Sequence, residues 1–219
     1  MKQIVIISGP SASGKSTLAR EIVQNNSLYA ICPKTSNTPL RPSEDEIPIH
    51  LRDCTRGKSL EEVQNCDFKY EMYGHSYGFQ KQLINETLLA NKTPLLVCSS
   101  PETIASIREE YSKVSIPVFA IKVVVYDKGD DEFDRSELRS IRTPAENVTD
   151  RMKSIAVFDR PVLVKSFLED DNVYDNFLFR YPKTNRHSLF EQYKECEEHG
   201  FSIMGSTVTE QYSSFLHHM

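Results

Sequence analysis

Short apolar runs alternate with helically spaced apolar positions along most of this chain. Ile4-Val5-Ile6-Ile7 is continuously apolar, the pattern of a parallel strand buried on both faces. Thr17-Leu18-Ala19-Arg20-Glu21-Ile22-Val23 follows, with Leu18, Ile22 and Val23 on one helical face. Leu83, Ile84, Leu88 and Leu89 predict a helix over 79–92, and Pro94-Leu95-Leu96-Val97-Cys98 predicts a second buried strand. A helix over 101–112 is expected next, with Pro101 in its first turn. Val118 to Tyr126 reads as a β-branched third strand, Phe177-Leu178-Phe179 as a last short strand, and 187–198 as a last helix. Alternation of this kind predicts an α/β fold, a parallel central sheet with helices on both faces.

Two stretches interrupt the alternation. Residues 31–66 carry Pro33, Pro39, Pro42 and Pro48 among charged and polar residues, which excludes a helix. The stretch is too long for an ordinary connection and reads as a functional excursion beside the sheet. Residues 127–134 are acidic, and 135–158 read as two helical pieces broken at Thr143-Pro144. The tail over 201–219 has no clear pattern, and no internal repeat or low-complexity segment appears.

A chain of 219 residues suits one α/β domain with a lid or a small appendage. The net charge of −5 provides no global basic field, which argues against nucleic acid or an anionic membrane as partner. Cys32, Cys54, Cys66, Cys98 and Cys196 show no C-x-x-C spacing, and their odd number fits reduced thiols in a cytoplasm. Nothing supplies the close His and Cys spacing of a zinc site. Met1-Lys2-Gln3 leads straight into the first strand, leaving no room for a signal peptide. No apolar run approaches the roughly 18 residues of a membrane span. The expected location is cytoplasmic, as a monomer or homodimer.

The chemistry begins between the first strand and the first helix. Gly9-Pro10-Ser11-Ala12-Ser13-Gly14-Lys15-Ser16 is the phosphate-binding pattern G-x-x-x-x-G-K-S. Its glycines let backbone N–H groups turn inward around a polyphosphate, and the helix N-terminus adds its positive dipole end. Gly9, Ser11, Ala12, Ser13, Gly14, Lys15, Ser16 and Thr17 are therefore the candidate nucleotide-binding residues. Lys15 is placed to reach the β and γ phosphates, and Ser16 to join a Mg²⁺ shell. The bland alternative, a chance Gly-rich turn, lacks the flanking strand and helix found here. The implied cofactors are ATP and Mg²⁺.

Further along, the chain resembles the guanylate-kinase-like nucleoside monophosphate kinases over about residues 1–180. Ile4 to Ser11, on through Ser16-Thr17-Leu18, is similar to that family's opening. Arg41-Pro42-Ser43-Glu44 resembles the second half of its acceptor-phosphate motif, T-T-R-x-x-R-x-G-E. Tyr73-Gly74-His75-Ser76-Tyr77-Gly78 resembles its G-N-Y-Y-G turn, whose second tyrosine touches the acceptor phosphate. Leu138-Arg139-Ser140-Ile141-Arg142 resembles the arginine-bearing lid, and Arg151-Met152 the following helix, which sends another arginine to the transferred phosphate. The resemblance implies a P-loop three-layer sandwich with an acceptor-binding region over 31–78 and a helical lid over 127–158. Residues 181–219 would form a C-terminal helix and tail. Lys15, Arg139, Arg142 and Arg151 are then the candidate catalytic residues, although exposed arginines are commonly solvated helix charges.

The departures from the family matter as much. The first arginine of the acceptor motif falls on Thr38. The guanine-reading glutamate is expected near Phe68-Lys69-Tyr70, with Glu71 close but displaced. Ser99-Ser100 replaces the aspartate after the middle strand. Leaving guanine donors unpaired in a closed site costs about 1–3 kcal/mol each, so these changes argue against GMP. Ribose 1,5-bisphosphate phosphokinases share the fold and lack the guanine-reading set. His50 after Asp45-Glu46, and Cys98-Ser99-Ser100-Pro101, partly resemble two of their stretches, the second without its arginine.

The candidate acceptor-binding residues are thus Arg41, His50, Glu71, Tyr77, Ser99 and Ser100, with Arg52 and Arg56 as rival phosphate ligands. The bland alternatives are a surface ion pair for Arg41, packing at a turn for Tyr77 and simple exposure for His50. Ser99 and Ser100 lie beyond a strand's C-terminal end, where ligands bind in open α/β sheets. The expected activity is ATP-dependent transfer of the γ-phosphoryl group to a small phosphorylated acceptor, a nucleoside monophosphate or sugar phosphate. Ribose 1,5-bisphosphate phosphorylation in particular is the alternative. A non-catalytic guanylate-kinase-like binding module would be marked by a degraded loop, and this loop is intact. A GTPase would want N-K-x-D, which does not occur. A polynucleotide kinase would want a basic strand-binding surface.

Overall fold

The computed structural model describes residues 2–9, 13–41, 44–125, 173–180 and 188–201. Five parallel strands form the main sheet in the order β2-β7-β1-β8-β9. They are β1 Ile4–Ser8, β2 Tyr29–Ile31, β7 Thr93–Val97, β8 Val118–Val125 and β9 Asn176–Arg180. The central strand, β1, pairs with β7 on one side and β8 on the other, which is why its whole apolar run is buried.

Helices cover both faces, giving three layers. On one face, α1 (Lys15–Asn25) and α5 (Leu189–Glu198) bring Leu18, Ile22 and Tyr193 against Val5, Ile7, Val97 and Ile121. On the other, α3 (Lys81–Leu89) and α4 (Pro101–Ser112) bring Ile84, Leu88, Ile104 and Ile107 against Ile4, Ile6, Leu96 and Ala120. Odd and even residues of β1 thus serve opposite cores, as the two-residue period of a strand requires. The apolar runs and helical stretches expected from sequence take these places, except that the helix expected over 79–92 spans only Lys81–Leu89. Phe79 instead ends a strand and Pro94 lies inside β7.

The excursion after β2 builds a second sheet that the hydrophobic pattern does not announce. Its order is β4-β3-β6-β5, from β3 Lys34–Ser36, β4 Cys54–Thr55, β5 Phe68–Met72 and β6 His75–Phe79. β3 and β4 are parallel, while β6 runs antiparallel to both β3 and β5. Tyr73 and Gly74, both at positive φ, make the tight turn between β5 and β6. The stretch Tyr73 to Gly78 is therefore a turn only at its start, and Tyr77 sits on a strand. One short helix, α2 (Leu60–Gln64), does form within 31–66, begun by a capping box between Ser59 and Glu62.

All five cysteines are free thiols. Among the described residues no helix is long and apolar enough to cross a membrane. The expected lid over 127–158 and most of the tail lie outside the described residues.

The start of the phosphate loop is fixed by close packing against β8. Gly9 has φ +132°, and a Cβ there would stand 2.4 Å from the Val123 carbonyl oxygen. Substitution Gly9→Ala combines a backbone region that L residues avoid with a direct clash. The expected loss is about 2 kcal/mol or more of folding stability, read as a lowered urea midpoint. An unchanged midpoint would mean that the loop leaves the sheet by another path.

Candidate active site

The ends of β1 and β7 and the starts of β3 and α1 meet at one corner of the molecule. Gly14, in the left-handed region at φ 96°, turns the chain into α1. The cap residue is this glycine, which has no side chain to accept from the first-turn N–H groups. Lys15 is buried and its ammonium donates to Ser13 Oγ at 3.4 Å. Thr17 is exposed on the same turn. Ser11 and Ala12 lie outside the described residues.

Ser16 leads to a residue that the sequence did not single out. Its hydroxyl donates to Asp53 Oδ2 at 3.0 Å, and the same oxygen lies 3.3 Å from Lys34 Nζ. Lys34 is buried, and its ammonium also donates to the Val97 carbonyl at the end of β7, at 2.9 Å. Burial opposes the charge on Lys34, but the Asp53 carboxylate beside it more than restores it and holds its pKa above the ordinary lysine value. Burial likewise works against an ionised Asp53. Lys34, the Ser16 hydroxyl and the more distant Arg56 overcome that and hold the carboxyl below its usual range. Asp53 arrives here because β4 pairs in parallel with β3, with Lys34 opposite Cys54. No local motif signals that pairing.

A second cluster lies in the same small sheet. Glu44 Oε1 accepts from Arg56 Nε at 2.7 Å and stands 3.8 Å from Arg41 Nη1. Arg56 also donates to Thr38 Oγ1 at 2.5 Å. Thr38 is the position where the resembled motif carries its first arginine, and the guanidinium bonded to it comes from the residue just after β4. Tyr77 is buried on β6 and stacks on Tyr70, with ring centroids 5.0 Å apart. Arg52, the other rival, donates to the carbonyls of Ile47 and Asp45 and holds its own loop.

The remaining candidates are dispersed. His50 is exposed in a 3-10 turn, Ile49–Leu51, and Glu71 is exposed on β5. Ser99 Oγ donates to the Gly9 carbonyl at 3.2 Å, which ties the end of β7 to the loop. Ser100 caps α4, accepting from the Thr103 amide at 3.1 Å and donating to Glu102. Phe68, near the expected guanine reader, belongs to the core. Arg139, Arg142 and Arg151 lie outside the described residues. Among the described residues, no three His, Cys, Asp or Glu side chains gather as a metal-binding group.

No family model matches the chain. A guanylate kinase of Wolinella succinogenes is 25% identical over 182 residues, covering 78% of this chain and 80% of that protein. One from Hydrogenovibrio crunogenus is 25% identical over 216 residues, covering 95% and 98%. One from Nitrosospira multiformis is 31% identical over 100 residues, 44% of this chain, which spans about half (47%) of that relative. A crystal structure of guanylate kinase from Anaplasma phagocytophilum superposes with a TM-score of 0.53 at 12% identity, covering 90% of this chain and 83% of that one. That last likeness is one of fold.

Breaking the Lys34–Asp53 pair has a defined expected cost. Fully buried pairs lose about 3–5 kcal/mol when one partner is removed, while exposed pairs lose about 0–1. The Asp53 side chain keeps 22% of its surface exposed against 10% for Lys34. Lys34→Met is therefore expected to lower stability by about 2 kcal/mol, measured by urea unfolding. A loss below about 0.5 kcal/mol would place the pair with ordinary surface salt bridges.

Proposed function

We propose that this chain, a guanylate-kinase-like P-loop kinase, transfers the γ-phosphoryl group of ATP to a phosphate oxygen of a small acceptor other than GMP. The acceptor class is a nucleoside monophosphate or a sugar phosphate. The observation that carries this reading is the cluster of Arg41, Arg56, Glu44 and Thr38 on the sheet whose Asp53 touches the phosphate loop. Guanidinium groups favour planar, bidentate recognition of phosphate. Glu44 holds the two arginines in place, and the phenol-bearing Tyr77 lies on the strand paired with β3.

The donor half follows from the loop. Its backbone amides, Lys15 and the first turn of α1 suit a triphosphate. The oxygen donor of Ser16 suits Mg²⁺, which when bound spreads the charge of the transferred phosphoryl group. An acceptor phosphate oxygen is already anionic near neutral pH, so no strong protein base is required. Arg139, Arg142 and Arg151 are proposed to cover the developing charge from the lid. An intact loop argues against a purely non-catalytic binding module.

The acceptor is narrowed by what the expected guanine-reading positions hold. Phe68 is in the core, Ser99 and Ser100 are engaged with Gly9 and with the cap of α4, and Glu71 points from an exposed position. The two stretches likened to ribose 1,5-bisphosphate phosphokinases are equally occupied or exposed, since Ser100 is the cap and His50 lies at the surface. The test is ATP consumption against nucleoside monophosphates and sugar phosphates, ribose 1,5-bisphosphate included. The best acceptor is expected to exceed GMP in kcat/KM by about 10²-fold or more. Arg56→Ala is expected to raise the acceptor KM by about 10- to 100-fold, the worth of a charged hydrogen bond, with little change in the KM for ATP. GMP as the best substrate would overturn the acceptor reading, and an unchanged acceptor KM would remove Arg56 from it.

A further inference from the structure

We propose that Asp53 supplies the protein carboxylate for the Mg²⁺ that accompanies ATP, reaching the phosphate loop from the acceptor sheet and not from the end of a main-sheet strand. The inference rests on the ATP-binding reading above. The chain beyond β7, where such a carboxylate would lie beside the loop, reads Cys98-Ser99-Ser100. Both serines there are engaged elsewhere, with Gly9 and with the cap of α4.

Asp53 meets the requirements that those residues do not. Its Oδ2 is 3.0 Å from Ser16 Oγ, so a hydroxyl and a carboxylate, both hard oxygen donors, already stand side by side at the loop. That donor set suits Mg²⁺, which is held by one or two carboxylates together with substrate phosphates. The residue is pinned twice, because its backbone carbonyl accepts from the Lys34 amide at 3.1 Å and its side chain pairs with the Lys34 ammonium. Lys34 is itself anchored to Val97. The Asp53 side chain keeps 22% of its surface exposed, so the carboxylate is open to a ligand from the loop side. A purely structural strap would need Lys34 but not Ser16. A proton acceptor for a hydroxyl substrate would be poorly served by an ammonium 3.3 Å away, which favours the ionised form.

The test measures metal binding and not turnover alone. Binding of a fluorescent ATP analogue to the full chain is compared in EDTA and in Mg²⁺, and Mn²⁺ binding to the protein–ATP complex is followed by electron paramagnetic resonance. Asp53→Asn is expected to keep its EDTA affinity within about twofold of the parent. It is expected to lose the gain given by Mg²⁺ and to weaken Mn²⁺ binding by about tenfold or more. Because that change leaves Lys34 without its partner, the double variant Lys34→Met/Asp53→Asn is measured beside it, with urea unfolding to establish that each is folded. The same loss is expected in both. A folded variant that retains the full Mg²⁺ gain and Mn²⁺ affinity overturns the inference. A parent chain that binds no ATP in either EDTA or Mg²⁺ overturns the ATP reading itself, and this inference with it.

Discussion

A buried lysine needs a counter-charge, and the site is arranged around the one that Lys34 finds. The ammonium is held between the Val97 carbonyl at the end of β7 and the Asp53 carboxylate before β4. Asp53 in turn accepts from Ser16 at the start of α1. One short chain of polar contacts therefore joins the main sheet, the small sheet and the phosphate loop. Without Asp53 the lysine would be an uncompensated charge in a site walled by packed strands. The main sheet positions the phosphate loop and the small sheet lies beside Arg41 and Arg56, so this contact ties the two halves together.

The donor half depends on close approach as much as on charge. β1 is central in the sheet, and the chain leaving it passes so near to Val123 that no side chain fits at Gly9. Ser99 then ties the end of β7 to that same glycine's carbonyl. The loop is thus bounded by β7 on one side and β8 on the other. Lys15, buried against Ser13, is presented at the base of the loop and not on the open surface.

The sequence disclosed what is local and concealed what is not. Ile4 to Ile7, the G-x-x-x-x-G-K-S loop and the helical spacing of Leu18 and Ile22 each carry their meaning within a few residues, and they define the main sheet and its nucleotide corner. The small sheet escaped because β3 and β4 have three and two residues, too few for an alternating pattern to show. Asp53 escaped for the same reason, since its role comes from pairing with a strand 19 residues earlier. Arg56 was visible only as a rival to Arg41, because nothing along the chain says that it reaches Thr38. Ser100 illustrates the opposite case. Its place beyond a strand suggested a ligand, while Pro101 in the next helix already indicated a cap.

On the proposed reading, the likeness to guanylate kinases at 25% identity and the engagement of Phe68, Ser99 and Ser100 elsewhere are reconciled if the transfer chemistry is kept and the acceptor has changed. On the proposed reading the receiving atom is a phosphate oxygen, selected by Arg41 and Arg56. The most direct measurement is phosphorus NMR of the product formed from ATP and the best acceptor. A new phosphoanhydride is expected, seen as mutually coupled doublets from two bonded phosphates. An uncoupled phosphomonoester singlet would show transfer to a hydroxyl and would contradict it.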